Sequence, residues 1–270
     1  MGNTDKEQLA GELIKYVVAR KTIRGVSHDQ VIAVINEIPL SIFMNGKEIV
    51  TLLCTGHHLG ALALGFLKSE GLLNDRSNLL DITVDEEKGA VHITVDDVSV
   101  MEENASIKRA ITSGCGKGTM FYQAIDSLLT TKIKFPLTIT SEQVCLVMSQ
   151  LNQRSSLYKE TRGVHNVALA TPDSILLFRS DIGRHNAVDM ICGECFLENI
   201  PLEDKLLLTT GRITSEILLK AARMKTPFII SRNVATYHSI TLGQAMGITL
   251  IGDMRGDKFT VYTHPERVIR

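Results

Sequence analysis

The first hydrophobic pattern along the chain is helical. Leu9, Leu13, Tyr16 and Val17 recur at the spacing of one helix face, which predicts an amphipathic helix over residues 5–20.

The following residues, up to about 95, alternate between strand and helix patterns. A strand pattern over 31–37 precedes a hairpin around Asn45-Gly46, a dipeptide that favours two-residue turns. A helix is predicted over 57–69, with Gly71 as its C-cap. A second hairpin is predicted around 86–89. These elements form a small α+β unit.

A glycine-rich loop then interrupts the pattern. Residues 113–118 hold three glycines, which do not belong inside a helix or strand. A short helix is predicted over 120–129 and a boundary at 134–136. Thr140 and Gln143 then form a capping-box start for a helix that runs towards residue 153.

Strands and single helices alternate in the rest of the chain, after a hairpin around Pro172-Asp173. Helices are predicted near 187–197, 215–224 and 240–246, and strands over 205–209, 228–231, 248–251 and 259–262. This order predicts an α/β fold with a mixed, partly parallel sheet and helices on both of its faces. We predict two domains, an N-terminal α+β domain over 1–135 and a second domain over 136–270.

Composition adds limits on location and partners. The 270 residues are 44% hydrophobic and 22% charged, as in an ordinary globular protein. The net charge is −1, so nucleic acid and anionic membranes are not expected partners, and any anion site must be local. Five cysteines are an odd number for a disulfide scaffold, and no apolar run could span a bilayer. We expect a cytoplasmic protein.

Cys115 is the candidate nucleophile among the cysteines. Its glycine neighbours leave it uncovered, and Lys117 brings a positive charge that favours the thiolate. The alternative is a cysteine that only tolerates a glycine turn. Cys54 and Cys145 lie in apolar runs, where cysteine is usually a small buried hydrophobic residue.

Cys192 and Cys195 form a C-x-x-C pair inside a predicted helix. A structural zinc site needs four ligands, and the chain has no second pair of this kind. We interpret the pair as structural and expect no metal site.

Three polar segments at predicted strand–helix junctions are candidate anion sites. Helix N-termini with glycine and arginine suit phosphate groups. The alternative is a set of capped helices whose arginines pair with carboxylates, and none of the segments is a Walker loop or a dinucleotide fingerprint. The segments are 161–166, 181–189 and 210–216.

Several of these motifs together resemble one family. They are Ser113-Gly114-Cys115-Gly116, the run from Asp181-Ile182-Gly183-Arg184-His185-Asn186 to Asp189, Gly211-Arg212 with Ser215-Glu216, and Thr249-Leu250-Ile251-Gly252 with Arg255. In this order they resemble the formate dehydrogenase accessory protein family, FdhD/NarQ. The resemblance runs from about residue 30 to the C-terminus.

The resemblance implies a sulfurtransferase, or sulfur carrier, that matures formate dehydrogenase. Such a protein takes persulfide sulfur from a cysteine desulfurase and passes it to the bis(molybdopterin guanine dinucleotide) form of the molybdenum cofactor. Cys115 matches the persulfide-forming cysteine. The resemblance also implies a cytidine-deaminase-like fold for the second domain.

The resemblance places cofactor binding near the C-terminus. The matching segment is Asp253, Met254, Arg255, Gly256, Asp257 and Lys258. Gly211, Arg212, Arg184 and His185, taken from the anion segments, complete the predicted site for the guanine nucleotide moiety.

Two positions depart from the family pattern. The glycine loop reads Cys115-Gly116-Lys117-Gly118 and lacks the second cysteine, which removes a local disulfide and leaves a single candidate thiol. Asp253 stands where the family has an aromatic residue.

Two other functions compete with sulfur transfer. A zinc deaminase needs H-x-E followed by P-C-x-x-C, and the only H-x-E here is His264-Pro265-Glu266, with no cysteine after it. A non-catalytic chaperone that binds the cofactor and a client enzyme is the stronger alternative. The oligomeric state is left open, with a homodimer among the options.

Overall fold

The computed structural model describes residues 13–96 and 137–269 of the chain. The glycine loop with Cys115, the predicted helix over 120–129 and the predicted domain boundary after residue 135 lie outside these ranges. The predicted division into two domains therefore stays a prediction.

The strands are β1 (Ile14–Ile23), β2 (Val26–Ile35), β3 (Ile38–Met44), β4 (Lys47–Cys54), β5 (Leu79–Asp85), β6 (Ala90–Val95), β7 (Ile139–Thr140), β8 (His165–Ala170), β9 (Ile175–Asp181), β10 (Leu206–Thr209), β11 (Phe228–Ser231), β12 (Thr249–Arg255), β13 (Lys258–Val261) and β14 (Val268–Ile269). The helices are α1 (Leu59–Glu70), α2 (Ser141–Arg154), α3 (Ser156–Thr161), α4 (Arg184–Glu198), α5 (Ser215–Met224) and α6 (Tyr237–Met246).

The predicted helix over 5–20 is wrong for residues 14–20, which are strand. Residues Ile14–Ile23 pair antiparallel with Val26–Ile35 and form a separate two-stranded ribbon. The segment is rich in β-branched residues, which lose side-chain freedom in a helix and pack well in a strand. A partner strand directly after the turn at Arg24-Gly25 outweighs the helical spacing of a few apolar residues.

A four-stranded sheet in the order β4-β3-β6-β5 packs its apolar face on α1. The hairpin at Asn45-Gly46 is confirmed, with both residues at positive φ. Helix α1 is also confirmed, and Gly71 caps it in the left-handed conformation. The second predicted hairpin is confirmed as β5 and β6.

A six-stranded mixed sheet in the order β13-β12-β11-β10-β8-β9 forms the rest of the fold. Strands β10, β11 and β12 are parallel, and the outer strands are antiparallel to their neighbours. Helix α2 packs on one face, while α4, α5 and α6 pack on the other. The predicted mixed sheet with helices on both faces is therefore confirmed.

Helix α4 joins the two halves of the structure. Its Val188 and Ile191 pack into the core of the six-stranded sheet, and its Met190 packs into the core around α1.

The predicted capping box at the start of α2 is present, since the Thr140 amide donates to Gln143 Oε1 at 2.9 Å and the Gln143 amide to Thr140 Oγ1 at 3.2 Å. None of the helices in the described ranges combines the length and hydrophobicity that a membrane span needs.

Candidate functional site

The ends of the three parallel strands meet at one edge of the six-stranded sheet. The Arg232 amide, directly after β11, donates to Thr209 O at 3.0 Å, and the Asp253 amide on β12 donates to Asn233 O at 3.0 Å. The Thr210 amide, after β10, donates to Asn166 O at 3.0 Å. All the sequence-predicted polar segments in the described ranges begin or end at this edge, as expected for an open α/β sheet.

A cavity of about 830 Å³ lies at this edge, against helices α2 and α3. Its size is that of a small-molecule or nucleotide site. Of the predicted cofactor segment, the four central residues Met254, Arg255, Gly256 and Asp257 line it. Thr210 also lines it, together with Arg162 and Asn166 from the first predicted anion segment.

Local backbone geometry turns the C-terminal segment into the cavity. The pairing of β12 with β13 shifts register between Gly252 and Arg255. Asp253 has φ 50° and Gly256 has φ 64°, both in the left-handed region. Gly252 has no room for a side chain, because a Cβ there would lie 2.6 Å from Asn233 O. The Asp253 carboxylate lies 3.5 Å from Arg255 Nε.

Gly211, Arg184 and His185 gather on the other side of the same edge, at the N-terminus of α4. A Cβ on Gly211 would lie 3.0 Å from Arg184 Cδ, so this glycine packs on the arginine side chain. Arg212 is exposed. None of the four predicted residues Gly211, Arg212, Arg184 and His185 is among the described residues that line the cavity. The structure thus separates the predicted site into two groups.

His185 is held neutral in this second group. Its Nε2 lies 3.0 Å from Glu216 Oε2. Burial, together with Arg184 and Lys220, lowers the pKa of His185 to about 4. His185 is therefore uncharged at neutral pH and contributes no positive charge to an anion site.

Asp181 anchors the start of α4 to the connection between β4 and α1. It accepts hydrogen bonds from the Thr55 amide at 2.9 Å, the Gly183 amide at 2.9 Å and Asn186 Nδ2 at 2.7 Å. Burial raises the pKa of Asp181, although these hydrogen bonds oppose the shift. This part of the family-like motif therefore has a structural task.

Asp189, at the end of the same motif, belongs to a buried ionic network. Lys220 Nζ on α5 lies 2.8 Å from Asp189 Oδ1 and 2.6 Å from Ser69 Oγ on α1. Ser69 Oγ also donates to Asp189 Oδ1 at 2.7 Å. The network fixes α1, α4 and α5 to one another and lies away from the cavity.

The described cysteines are free thiols with different surroundings. Burial raises the pKa of Cys54 to about 11, and of Cys192 and Cys195 to about 12, so all three are poor nucleophiles. The structural interpretation of these three is supported. Cys145 differs from the sequence expectation, because it is half-buried on the cavity wall, with Sγ 4.0 Å from Asp257 O.

Within the described ranges, no group of three or more His, Cys, Asp or Glu side chains could hold a metal ion. The expectation of no metal site stays a prediction, since Cys115 lies outside those ranges.

Comparison with known proteins identifies the family. Residues 35–269 match the FdhD/NarQ family. The chain is 39% identical over 234 residues to the sulfur carrier protein FdhD of Bacillus subtilis (strain 168), covering 87% of this chain and 89% of the relative. The chain belongs to the FdhD/NarQ family.

A second FdhD relative and a solved structure are also similar to this FdhD/NarQ protein. The sulfur carrier protein FdhD of Staphylococcus aureus (strain MRSA252) is 38% identical over 235 residues, covering 87% of this chain and 89% of the relative. The crystal structure of a formate dehydrogenase accessory protein from Desulfotalea psychrophila aligns with a TM-score of 0.78 at 22% identity. It covers 95% of this chain and 100% of that protein, and shows that the fold is shared.

Three charged or aromatic residues that line the cavity of this FdhD/NarQ protein were not among the sequence-predicted site residues. They are Tyr158 and Lys159 on α3 and Arg232 after β11. Arg232 follows an apolar strand just as Thr210 does. Ligands of open α/β sheets bind at the carboxyl ends of the strands, so the sequence does contain a signal for Arg232. Tyr158 and Lys159 carry no sequence signal, because only the fold brings α3 to this edge.

Proposed function

We propose that this protein is a sulfur carrier for the maturation of formate dehydrogenase. Cys115 would take persulfide sulfur from a cysteine desulfurase, and the acceptor would be bis(molybdopterin guanine dinucleotide) molybdenum cofactor, bound as a substrate. Family membership supports the carrier role, since the relatives at 39% and 38% identity are named sulfur carrier proteins.

The cavity is the observation that carries the proposal. The segment Asp253–Lys258, which the family resemblance assigns to cofactor binding, supplies four of its lining residues. Four cations line it, Lys159, Arg162, Arg232 and Arg255, but Asp257 is the only acidic residue among the described residues on its wall. A concave, locally cationic site in a chain of net charge −1 suits the guanine nucleotide end of the cofactor.

The sulfur-transfer step needs only thiol chemistry. The Cys115 thiolate would attack the outer sulfur of the desulfurase persulfide, forming a new S–S bond. The S–S bond of the donor breaks and its cysteine leaves as a thiolate, so no outside oxidant is required. The adjacent glycines and Lys117 favour the attacking thiolate.

The described thiols support the assignment to Cys115. Cys54, Cys192 and Cys195 are buried with a raised pKa, which makes each a poor sulfur acceptor. All four described cysteines are free, in keeping with the reducing cytoplasm in which we place the protein. The mixed sheet with helices on both faces supports the cytidine-deaminase-like fold that the resemblance implies for residues 136–270.

Mass spectrometry after incubation with a cysteine desulfurase and cysteine tests the proposal. We expect a mass increase of one sulfur atom on Cys115, lost on treatment with a thiol reductant. The Cys115→Ala variant should fail to mature formate dehydrogenase in a strain that lacks the native protein, while Cys54→Ala, a buried thiol that does not line the cavity, is the thiol control and should support maturation. Full maturation by Cys115→Ala would instead favour a non-catalytic, cofactor-binding chaperone.

A further inference from the structure

Three of the cavity cations have no acidic partner within the described ranges. Arg162, Arg232 and Lys159 form none of the salt bridges found there, whereas the fourth cation, Arg255, lies 3.5 Å from Asp253. Like charges gathered in a concave site repel one another and are stabilised by an anionic ligand. The distribution of charge on this wall therefore favours an anion between α3 and the end of β11.

Two of these cations share one aromatic ring. The guanidinium carbon of Arg162 lies 5.3 Å from the centroid of the Tyr158 ring, and that of Arg232 lies 6.0 Å from the same centroid. Each contact is in the range of a cation–π interaction. The ring restricts both arginine side chains before a ligand binds, which lowers the entropic cost of ordering them on binding.

Backbone hydrogen bonds fix the main-chain positions of Arg162 and Arg232. Arg162 ends α3 in the left-handed conformation with φ 58°, and its amide donates to Tyr158 O at 2.8 Å. Arg232 follows β11, and its amide donates to Thr209 O at 3.0 Å. The two guanidinium groups thus come from separate, well-anchored elements and meet at one point of the cavity wall.

We propose that Arg162 and Arg232, held against Tyr158, form a clamp for a diphosphate group. A guanidinium group presents a planar fork of N–H donors that matches two phosphate oxygens. Two forks, with Lys159 beside them, suit a ligand with two adjacent phosphates better than one with a single phosphate. The inference rests on the proposed function, in which the bound substrate carries guanine nucleotide diphosphates, and it moves phosphate recognition away from Arg212 and Arg184.

Calorimetry on the full chain with GDP, GMP and inorganic pyrophosphate tests the clamp. We expect GDP to bind more tightly than GMP, and pyrophosphate to compete with GDP. Arg162→Ala and Arg232→Ala should each weaken GDP binding about tenfold or more, since a charged hydrogen bond is lost. Arg76→Ala is the matched control, an exposed arginine that does not line the cavity, and should leave the affinity unchanged.

A second pair of variants tests the ring. Tyr158→Phe keeps the aromatic face and should retain the affinity for GDP, while Tyr158→Ala should weaken it and reduce the preference for GDP over GMP. Circular dichroism spectra confirm that each variant is folded.

The outcomes separate the clamp from the proposed function. GDP binding that survives both arginine substitutions overturns the clamp and leaves the cavity as the cofactor site. Pyrophosphate binding that needs both arginines, with GDP no tighter than pyrophosphate, supports the clamp and contradicts guanine nucleotide recognition. Failure of both GDP and pyrophosphate to bind the wild-type protein overturns the clamp and the placement of the cofactor in this cavity, while the sulfur-carrier role still depends on the persulfide test at Cys115.

Discussion

Gly65 of α1 and Gly193 of α4 face each other where the two helices cross. A Cβ on Gly65 would lie 1.7 Å from Asp189 O, and a Cβ on Gly193 would lie 1.9 Å from Ala61 O. The two backbones are thus in direct contact, closer than any side chain allows. This crossing brings Ser69 of α1 beside Asp189 of α4 and so sets the geometry of the buried network with Lys220.

Alanine at either glycine should separate the helices. We expect Gly65→Ala and Gly193→Ala each to lower the free energy of unfolding by about 3 kcal/mol or more, at the upper end for overpacking, because backbone cannot move aside as a side-chain tip can. Urea denaturation measures the loss. Gly60→Ala is the control, as its Cβ would meet only the tips of Ile82 and Val84 at 3.3 and 3.4 Å, and should be nearly neutral.

The contact also explains why the C-x-x-C pair has a glycine between its cysteines. Sequence reasoning correctly placed Cys192 and Cys195 on a helix, but the role of Gly193 depends on the neighbouring helix, which is far away in sequence. Likewise, Asp189 reads as part of a polar anion motif, whereas its partners Ser69 and Lys220 lie on two other helices.

Local signals predicted most of the remaining fold. The Asn45-Gly46 turn, the Gly71 cap and the Thr140 capping box are set by residues close in sequence, and all three are confirmed. The helix prediction for Ile14–Ile23 was wrong because pairing with a neighbouring strand, and not the periodicity of the apolar residues, determines its secondary structure. The candidate site was predicted in part. The ends of the strands can be predicted from the sequence, whereas the packing of α3 against this edge of the sheet depends on the tertiary fold.

Removing one member of the buried ion pair should be costly. Lys220→Met leaves the Asp189 carboxylate buried without its cation, and we expect a loss of about 3–5 kcal/mol in the free energy of unfolding. The double variant Lys220→Met/Asp189→Leu should lose less than the sum of the two single variants. Arg20→Met, which breaks an exposed ion pair with Asp29, should leave the denaturation midpoint in place. Additive losses in the double variant would contradict this interpretation.

Neutral His185 should make the fold sensitive to acid. The unfolded histidine takes up a proton near pH 6.5, but the folded one does so only near pH 4. The stability it contributes is complete above about pH 6.5 and falls towards pH 4, by up to about 1.4 kcal/mol per pH unit. The charged or titratable groups that act on it are Arg184, Lys220, Glu70, His165 and Glu216.

Urea denaturation curves measured between pH 4 and pH 6.5 test whether protonation of His185 destabilises the fold. His185→Gln should flatten the fall in stability on the acid side, because the variant has no proton to take up there. His28→Gln, on the exposed ribbon, should leave the curve unchanged. An equal acid slope in wild type and His185→Gln would show that His185 does not cause it.

The buried cysteine pair should be dispensable for sulfur transfer. The double variant Cys192→Ser/Cys195→Ser should be less stable, because two hydroxyl groups enter an apolar core. Its transfer rate per folded molecule should match wild type. Persulfide that accumulates on Cys115 of the variant without discharge would instead reveal a resolving role for the pair.

Cys145 provides a direct report on the cavity. It is the half-buried thiol on the cavity wall, and burial, Asp257 and Glu142 raise its pKa. In folded protein at mildly alkaline pH, an alkylating reagent should therefore modify Cys145 slowly and leave the more deeply buried Cys54, Cys192 and Cys195 unmodified. Peptide mass spectrometry distinguishes these four cysteines from one another and from Cys115.

GDP should protect Cys145 by filling the cavity in front of it. At about ten times its Kd, the nucleotide occupies most molecules, and the labelling rate of Cys145 should fall about tenfold. The Arg162→Ala variant should need more GDP for the same protection, because the clamp is weakened while the thiol is untouched. Labelling in urea, where all five thiols of the chain react, controls for reagent quality. An unchanged Cys145 rate at a GDP concentration that saturates the calorimetric signal would place the nucleotide outside this cavity.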